Sequence, residues 1–405
     1  MIKSAFSKTT DTDWLIKSKN SLQMVLFNEH LGFKDLPSDD TNWNQALQFA
    51  DKIKTMCSTW VVVGLGGSSL GAKAVIEALQ SAKQSRIWFF DNLDNNEYLE
   101  FKQAQPNWQS VGFLLISKSG NTLETVVHTE RIVGDLKKQN LKLNQHLFVI
   151  TEDKTSPLKK FAQQNDLLQA PVPLNVGGRF SVLSCVGLVP IALMGIDLKQ
   201  LRFGATAATK SLDLVAEMAT QMTDSFYRNE SVTYFWFYSS KLRQLGMWLQ
   251  QLWAESLGKK SDRAGHMPVQ ASIPIVCVGA SDQHSVLQQN LETKIKHWDL
   301  FFTVENSESD MAIGQCQFEG FEYLNGKTMH GVLNTQAKAN EAVMNELGIK
   351  TGHLSINKIS PESLGFLLMY WELVIATVGE NLNINAFDQP SVELGKRLAK
   401  DLLSK

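Results

Sequence analysis

Two α/β domains with mostly parallel sheets flanked by helices, closed by a C-terminal helical segment, are what this sequence predicts, and three observations predict them. From Trp60 onward, short apolar runs alternate with amphipathic segments of helical length. Four such units in succession imply a parallel sheet covered by helices on both faces. A second set of apolar runs begins near Ser231, and 405 residues favour two domains over one. On this reading residues 1–44 form a mixed helix and loop segment, 45–196 the first domain, 197–380 the second, and 381–405 a C-terminal helix.

In chain order, WVVVGL leads into a helix from Ser68, RIWFFD into another, GFLLIS into a helix from Asn121, and HLFVIT into one near Pro157. Leu198 to Met222 is helical in pattern and links the halves. SVTYFWFYSS, IPIVCVGAS, DLFFTVEN and HLSIN are the later strand candidates, and 360–380 and 390–404 have helical periodicity. The strand, glycine turn and helix at Val62 to Val75 recur loosely at Val276 to Gln289.

Composition narrows the function. A formal net charge of -2 leaves no global field to draw the chain onto nucleic acid or an anionic membrane, so a small-molecule substrate is expected. Cys57, Cys185, Cys277 and Cys316 form no C-x-x-C pair and read as buried thiols in a reducing compartment. The N-terminus lacks the apolar run of a secretory signal. The apolar stretch Val182 to Ile196 is broken by Pro190 and too short to span a bilayer, and a cytoplasmic location is expected.

Six segments carry chemistry. Ser117-Lys118-Ser119-Gly120-Asn121-Thr122 follows an apolar strand and opens a helix, where free backbone N–H groups and clustered hydroxyls suit a phosphate. The bland alternative is a Ser/Thr N-cap, but three hydroxyls around a glycine exceed what capping requires. Gly64-Leu65-Gly66-Gly67-Ser68-Ser69 invites a dinucleotide reading, with Asp91 as the ribose acid. Ser69 occupies the third glycine position, however, and a turn offering Ser68 and backbone amides to a sugar fits better.

Gly177-Gly178-Arg179-Phe180-Ser181 projects an arginine beside paired glycines, where it can stabilise a developing oxyanion. Gln251 and Glu255 lie four residues apart on one helix face, and a carboxylate near Trp253 could act as a base; in isolation, an exposed glutamate paired with Lys259 is the simpler reading. His284, in a loop after IPIVCV, could exchange a proton with a substrate oxygen. The histidines form no ligand pattern, so no metal is expected. Phe387-Asp388-Gln389-Pro390 opens a last helix that places Lys396 about two turns from Gln389.

In this order SKSGNTLET, GGRFS, ESLGK, DQHS and FDQPSVELGK resemble the glucose-6-phosphate isomerase family, from Trp60 to Lys396. The first motif alone would indicate only the broader class of sugar-isomerase domains. The resemblance implies two unequal sugar-isomerase domains and a homodimer with active sites between subunits. It implies reversible isomerisation of glucose 6-phosphate and fructose 6-phosphate without cofactor. By motif, Gly67, Ser68, Ser117, Lys118, Ser119 and Thr122 would bind substrate, chiefly its phosphate. Gly178 and Arg179 would flank the reacting carbons, Gln251 and Gln389 would orient the sugar, and Glu255 would be the base. His284, reaching the partner's site, and Lys396 would open the ring. The chain departs from the family pattern at Leu174-Asn175, Leu257 and Ser391, and is short between Glu305 and Leu354. Three alternatives stay open: a non-catalytic sugar-phosphate-binding regulator, an isomerase of another hexose phosphate, and an NAD-dependent dehydrogenase using the Gly64 turn.

Overall fold

The computed structural model describes residues 2–7, 11–80, 87–307 and 310–405. Its strands, in chain order, are β1 (Ile2–Phe6), β2 (Thr59–Val63), β3 (Ile87–Phe90), β4 (Val111–Ile116), β5 (Leu147–Glu152), β6 (Leu168–Val172), β7 (Val232–Phe237), β8 (Ile273–Val278), β9 (His297–Val304) and β10 (Lys350–Ile356). One sheet has the order β3-β2-β4-β5-β6 and is parallel throughout. The other, β1-β10-β9-β7-β8, is parallel except for β1.

Strands covered on both faces read as unbroken apolar runs, and all six residues of β4 are buried. Alternate side chains then serve different cores. Val62, Leu114 and Ile116 join a large cluster that also holds Phe235, Phe237 and Phe302 of the second sheet. Val61, Phe113 and Leu115 pack outward with Phe101 and Trp108. The two sheets therefore share one core, filled by the helices Leu70–Leu79, Arg243–Leu257 and Pro361–Asn381.

Some sequence expectations shift. Residues 1–44 are not only helix and loop: β1 pairs antiparallel with β10, Ile2 opposite Ile356 and Phe6 opposite Gly352. Five residues are too few to betray a strand, and pairing covers an edge of β10 that would otherwise present unpaired backbone groups. The helices expected from Ser68 and Asn121 begin at Leu70 and Leu123, because each glycine-bearing loop takes another turn first. Arg86, the first residue of RIWFFD, lies outside the described residues. All four cysteines are free thiols, with Cys57, Cys185 and Cys277 buried and Cys316 half-buried.

The longest apolar element is not Val182 to Ile196 but the helix Pro361–Asn381. It is long and apolar enough to cross a membrane, with mean hydropathy 1.3, yet 94% of that window is buried inside the fold. Ser360 and Ser363 satisfy each other's backbone N–H at its start, with Pro361 in the first turn. In its middle, Glu372 has both carboxyl oxygens buried without a partner. Burial holds that carboxyl well above the usual carboxylate range.

Two glycines let this helix meet Leu198–Ala208 backbone to backbone. A Cβ at Gly204 would collide with the carbonyl oxygen of Glu362, and one at Gly365 with that of Leu201. Gly365→Ala is therefore expected to lower the unfolding free energy by about 1–3 kcal/mol. A lower urea midpoint at unchanged slope would report it, and an unmoved midpoint would mean that the helices separate without strain.

Candidate active site

The loops after β2 and β4 lie side by side because their strands are parallel neighbours, with Val63 opposite Leu115. Both loops leave the carboxyl edge of the sheet, where ligand sites form in α/β proteins. Ser117 Oγ lies 2.8 Å from Thr122 Oγ1 and accepts the Gly120 N–H at 3.1 Å. Gly120 has a φ of +65°, and a Cβ there would strike Ser156 Oγ. Glycine thus serves tight packing on the neighbouring loop. Thr122 stands at the N-cap of Leu123–Lys138, yet its side chain makes no capping bond. The capping alternative fails, and the N–H groups of the first turn have no side-chain cap. Ser119 is exposed at the mouth of this loop. Lys118 Nζ pairs with Glu152 Oε1 at 3.1 Å.

The Gly64 turn is the bridge between this loop and the rest of the site. A Cβ at Gly67 would strike the carbonyl oxygen of Gly178, and one at Gly66 would lie 2.6 Å from Gln251 Nε2. The glycines therefore let the turn press against both the arginine-bearing segment and the helix Arg243–Leu257. Ser68 sits half-buried at its end. The dinucleotide reading loses its acid, because Asp91 Oδ2 is held by Lys73 Nζ at 3.0 Å.

Arg179 is the hub. It is 5% exposed, and its five N–H groups meet five acceptors. Nε donates to Ser256 Oγ at 2.7 Å, Nη1 to Glu255 Oε2 at 3.2 Å and Gln389 Oε1 at 2.6 Å, and Nη2 to the carbonyls of Ala386 at 2.5 Å and Asp388 at 3.1 Å. Gln251 Nε2 donates to the other oxygen of Glu255 at 3.0 Å, while Gln251 Oε1 is buried without a partner. The Glu255 carboxylate is thus gripped from two sides, and its side chain remains 35% exposed. It borders a cavity of about 440 Å³ whose other walls include Lys259, Arg263, Asp388, Gln389 and Pro390.

Two expectations about Glu255 change. Trp253 packs against Phe226 and Phe235 and donates its N–H to Ser272, so it turns away from the carboxylate. Lys259 does not pair with that carboxylate either. Its ammonium caps the Glu255 carbonyl and binds Asp388. Ser256 and Asp388 were missed as partners of Arg179. The adjacency of Ser256 to Glu255 and of Asp388 to Gln389 was the one signal available.

The single chain does not bring His284 or Lys396 to this cluster. His284 is exposed on the turn after β8 and shares no hydrogen bond or cavity wall with Glu255. Lys396 Nζ lies 2.7 Å from Glu393 Oε1, both side chains exposed, on the helix Glu393–Leu403. Among the described residues, no group of three or more His, Cys, Asp or Glu side chains is arranged to hold a metal.

A model of the phosphoglucose isomerase family matches residues 48–405. A glucose-6-phosphate isomerase of Campylobacter jejuni is 31% identical over 408 residues, covering 98% of both chains. One from Thermus thermophilus is 32% identical over 381 residues, covering 92% of this chain and 90% of its own. In shape, the crystal structure of a glucose-6-phosphate isomerase from Chlamydia trachomatis superposes with a TM-score of 0.82 at 22% identity, covering all of this chain and 88% of its own.

The hub carries a stability consequence. Arg179→Met leaves a carboxylate and the buried Ala386 carbonyl short of donors, and is expected to lower the unfolding free energy by about 2–4 kcal/mol. Arg179→Lys should recover little, since an ammonium cannot reproduce the five-donor fork. Urea denaturation of both variants checks this, and full recovery by lysine would show that charge alone matters.

Proposed function

The chain belongs to the phosphoglucose isomerase family, and from that membership we propose that it interconverts glucose 6-phosphate and fructose 6-phosphate with Glu255 as the base. The observation that carries the proposal is the Glu255 carboxylate, held between Arg179 and Gln251 on the wall of an open cavity. The neighbouring Ser117 to Thr122 loop supports the rest, since its hydroxyls and uncapped helix start suit the phosphate.

The sugar is mostly a closed ring, so a proton must first move between the ring oxygen and the O1 hydroxyl. Lys396 and His284 are assigned to that step. Glu255 then removes the C2 proton and returns it to C1 through a cis-enediolate. Arg179 supplies positive charge beside that intermediate. Because all five of its N–H groups are already engaged, an enediolate oxygen gains a direct bond only by displacing Gln389 Oε1 or a Glu255 oxygen. Ser68, Ser117, Ser119 and Thr122 take the phosphate, with Lys118 adding charge and the backbone of Gly67 and Gly178 shaping the floor. Binding at the phosphate end orients the reacting carbons. Gln251 and Gln389 orient the base and the sugar.

The reaction is assigned to a homodimer in the cytoplasm. His284 is exposed and shares no hydrogen bond or cavity wall with its own Glu255, which suits a group that serves a neighbouring subunit. The last helix leaves Leu394, Leu398 and Leu402 exposed on one side, an apolar stripe in need of a surface.

Purified protein given fructose 6-phosphate should yield glucose 6-phosphate, with mannose 6-phosphate as competitor. Glu255→Gln should still bind substrate but lose C2 hydrogen exchange with deuterated water by about 10²–10⁴-fold. Binding without turnover in the wild type would point to a regulator, and unchanged exchange in the variant to a different base. For shared sites, mixing Glu255→Gln with His284→Ala should restore activity that neither has alone, since a hybrid dimer keeps one complete site. Mixtures as inactive as their parts would place His284 outside the partner's site.

A further inference from the structure

We propose that Lys259 is a positioning residue for this isomerisation, tying the helix that bears Glu255 to the Asp388–Gln389 turn and so holding Gln389 against the substrate. The inference rests on Glu255 being the base.

Lys259 Nζ donates to the Glu255 carbonyl at 2.9 Å, lies 3.0 Å from Asp388 Oδ1, and also donates to the Asp388 carbonyl. An ammonium has three N–H donors, and here three acceptors face it. The side chain is 8% exposed although it lines the same cavity as Glu255 and Gln389. With every donor engaged, it has none for a sugar oxygen, and its action is through the groups it holds.

The partners it joins explain the effect. The Glu255 carbonyl belongs to the last turn of Arg243–Leu257, where carbonyls lack helical donors and a cation is favoured. The Asp388–Gln389 turn is also held by Arg179, through the Asp388 carbonyl and Gln389 Oε1. Two cations therefore converge on one carbonyl oxygen and fix the turn together. Arg179 also touches the Glu255 carboxylate, so its removal disturbs base and turn together. Lys259 reaches only the main chain of Glu255, so its removal disturbs the turn and leaves the carboxylate's two partners in place. The same turn is the root of Glu393–Leu403, and its position also sets where Lys396 starts from.

The test uses the full chain carrying Lys259→Met or Lys259→Arg. Lys259→Met should lower kcat/KM by about tenfold or more, chiefly through kcat, with competitive inhibition by inorganic phosphate unchanged. Amide hydrogen exchange should quicken over residues 386–392 while the core helices keep their protection. Lys259→Arg, which can still reach a carboxylate and a carbonyl, should recover part of both. A kcat/KM within about twofold of wild type, or unaltered exchange over 386–392, overturns the proposal. So does exchange that quickens across the whole chain with no recovery by arginine, the mark of a purely structural loss. A wild-type chain that fails to interconvert the sugars would overturn the reaction instead, and the exchange measurement would still decide whether Lys259 holds the turn.

Discussion

The buried guanidinium of Arg179 is the constraint on which the site depends. Taking such a charge out of water costs several kcal/mol unless its donors are matched and an opposite charge lies near. Here that requirement is met by Glu255, Ser256 and Gln389 side chains and the carbonyls of Ala386 and Asp388. None of these can drift without exposing the arginine to an unpaired state. The position of the proposed base is thus a consequence of electrostatic satisfaction, and the C-terminal segment is drawn to the helix that bears Glu255 by the same charge.

Close backbone packing brings the Gly64 turn to this hub, beside the loop after β4. Parallel pairing of β2 with β4 sets two loops side by side, and glycines at 66 and 67 allow one of them to rest on Gln251 and Gly178. Any side chain at Gly67 would separate the arginine-bearing segment from the turn. Because the strands beneath are buried on both faces, the loops stand on a rigid floor.

The single chain holds the parts in two groups. Glu255, Arg179, Gln251 and Gln389 are joined by hydrogen bonds, whereas His284 and Lys396 sit exposed on separate elements. That division parallels the two stages of the proposed chemistry, with proton transfer at carbon organised inside the subunit and ring opening left to groups that face outward. The apolar side of the last helix belongs with this exposed group, for Leu394, Leu398 and Leu402 are uncovered among the described residues.

Most of the fold was legible in the sequence. WVVVGL, GFLLIS and HLFVIT are strands because a parallel sheet buried on both faces demands continuous apolar runs, a local property that needs no partner to be recognised. The loop Ser117 to Thr122 was legible for the same reason, since its hydroxyls and glycine lie within six residues. The strand Ile2–Phe6 was not, because its only support is a distant edge at β10. Glu255 drew its interest from the order of motifs, and its apolar neighbour Trp253 misled about its surroundings. What the sequence by itself determined is most of the sheet strands, the hydroxyl-rich loop Ser117 to Thr122 and the chemical groups available. Only the tertiary structure decided how those groups pair: Arg179 takes Glu255 across 76 residues and Gln389 across 210, while Lys259 takes Asp388 instead of the carboxylate one turn away. Partner choice follows from burial and distance in the folded chain, where an unsatisfied charge costs more than a neighbouring position in sequence can offset.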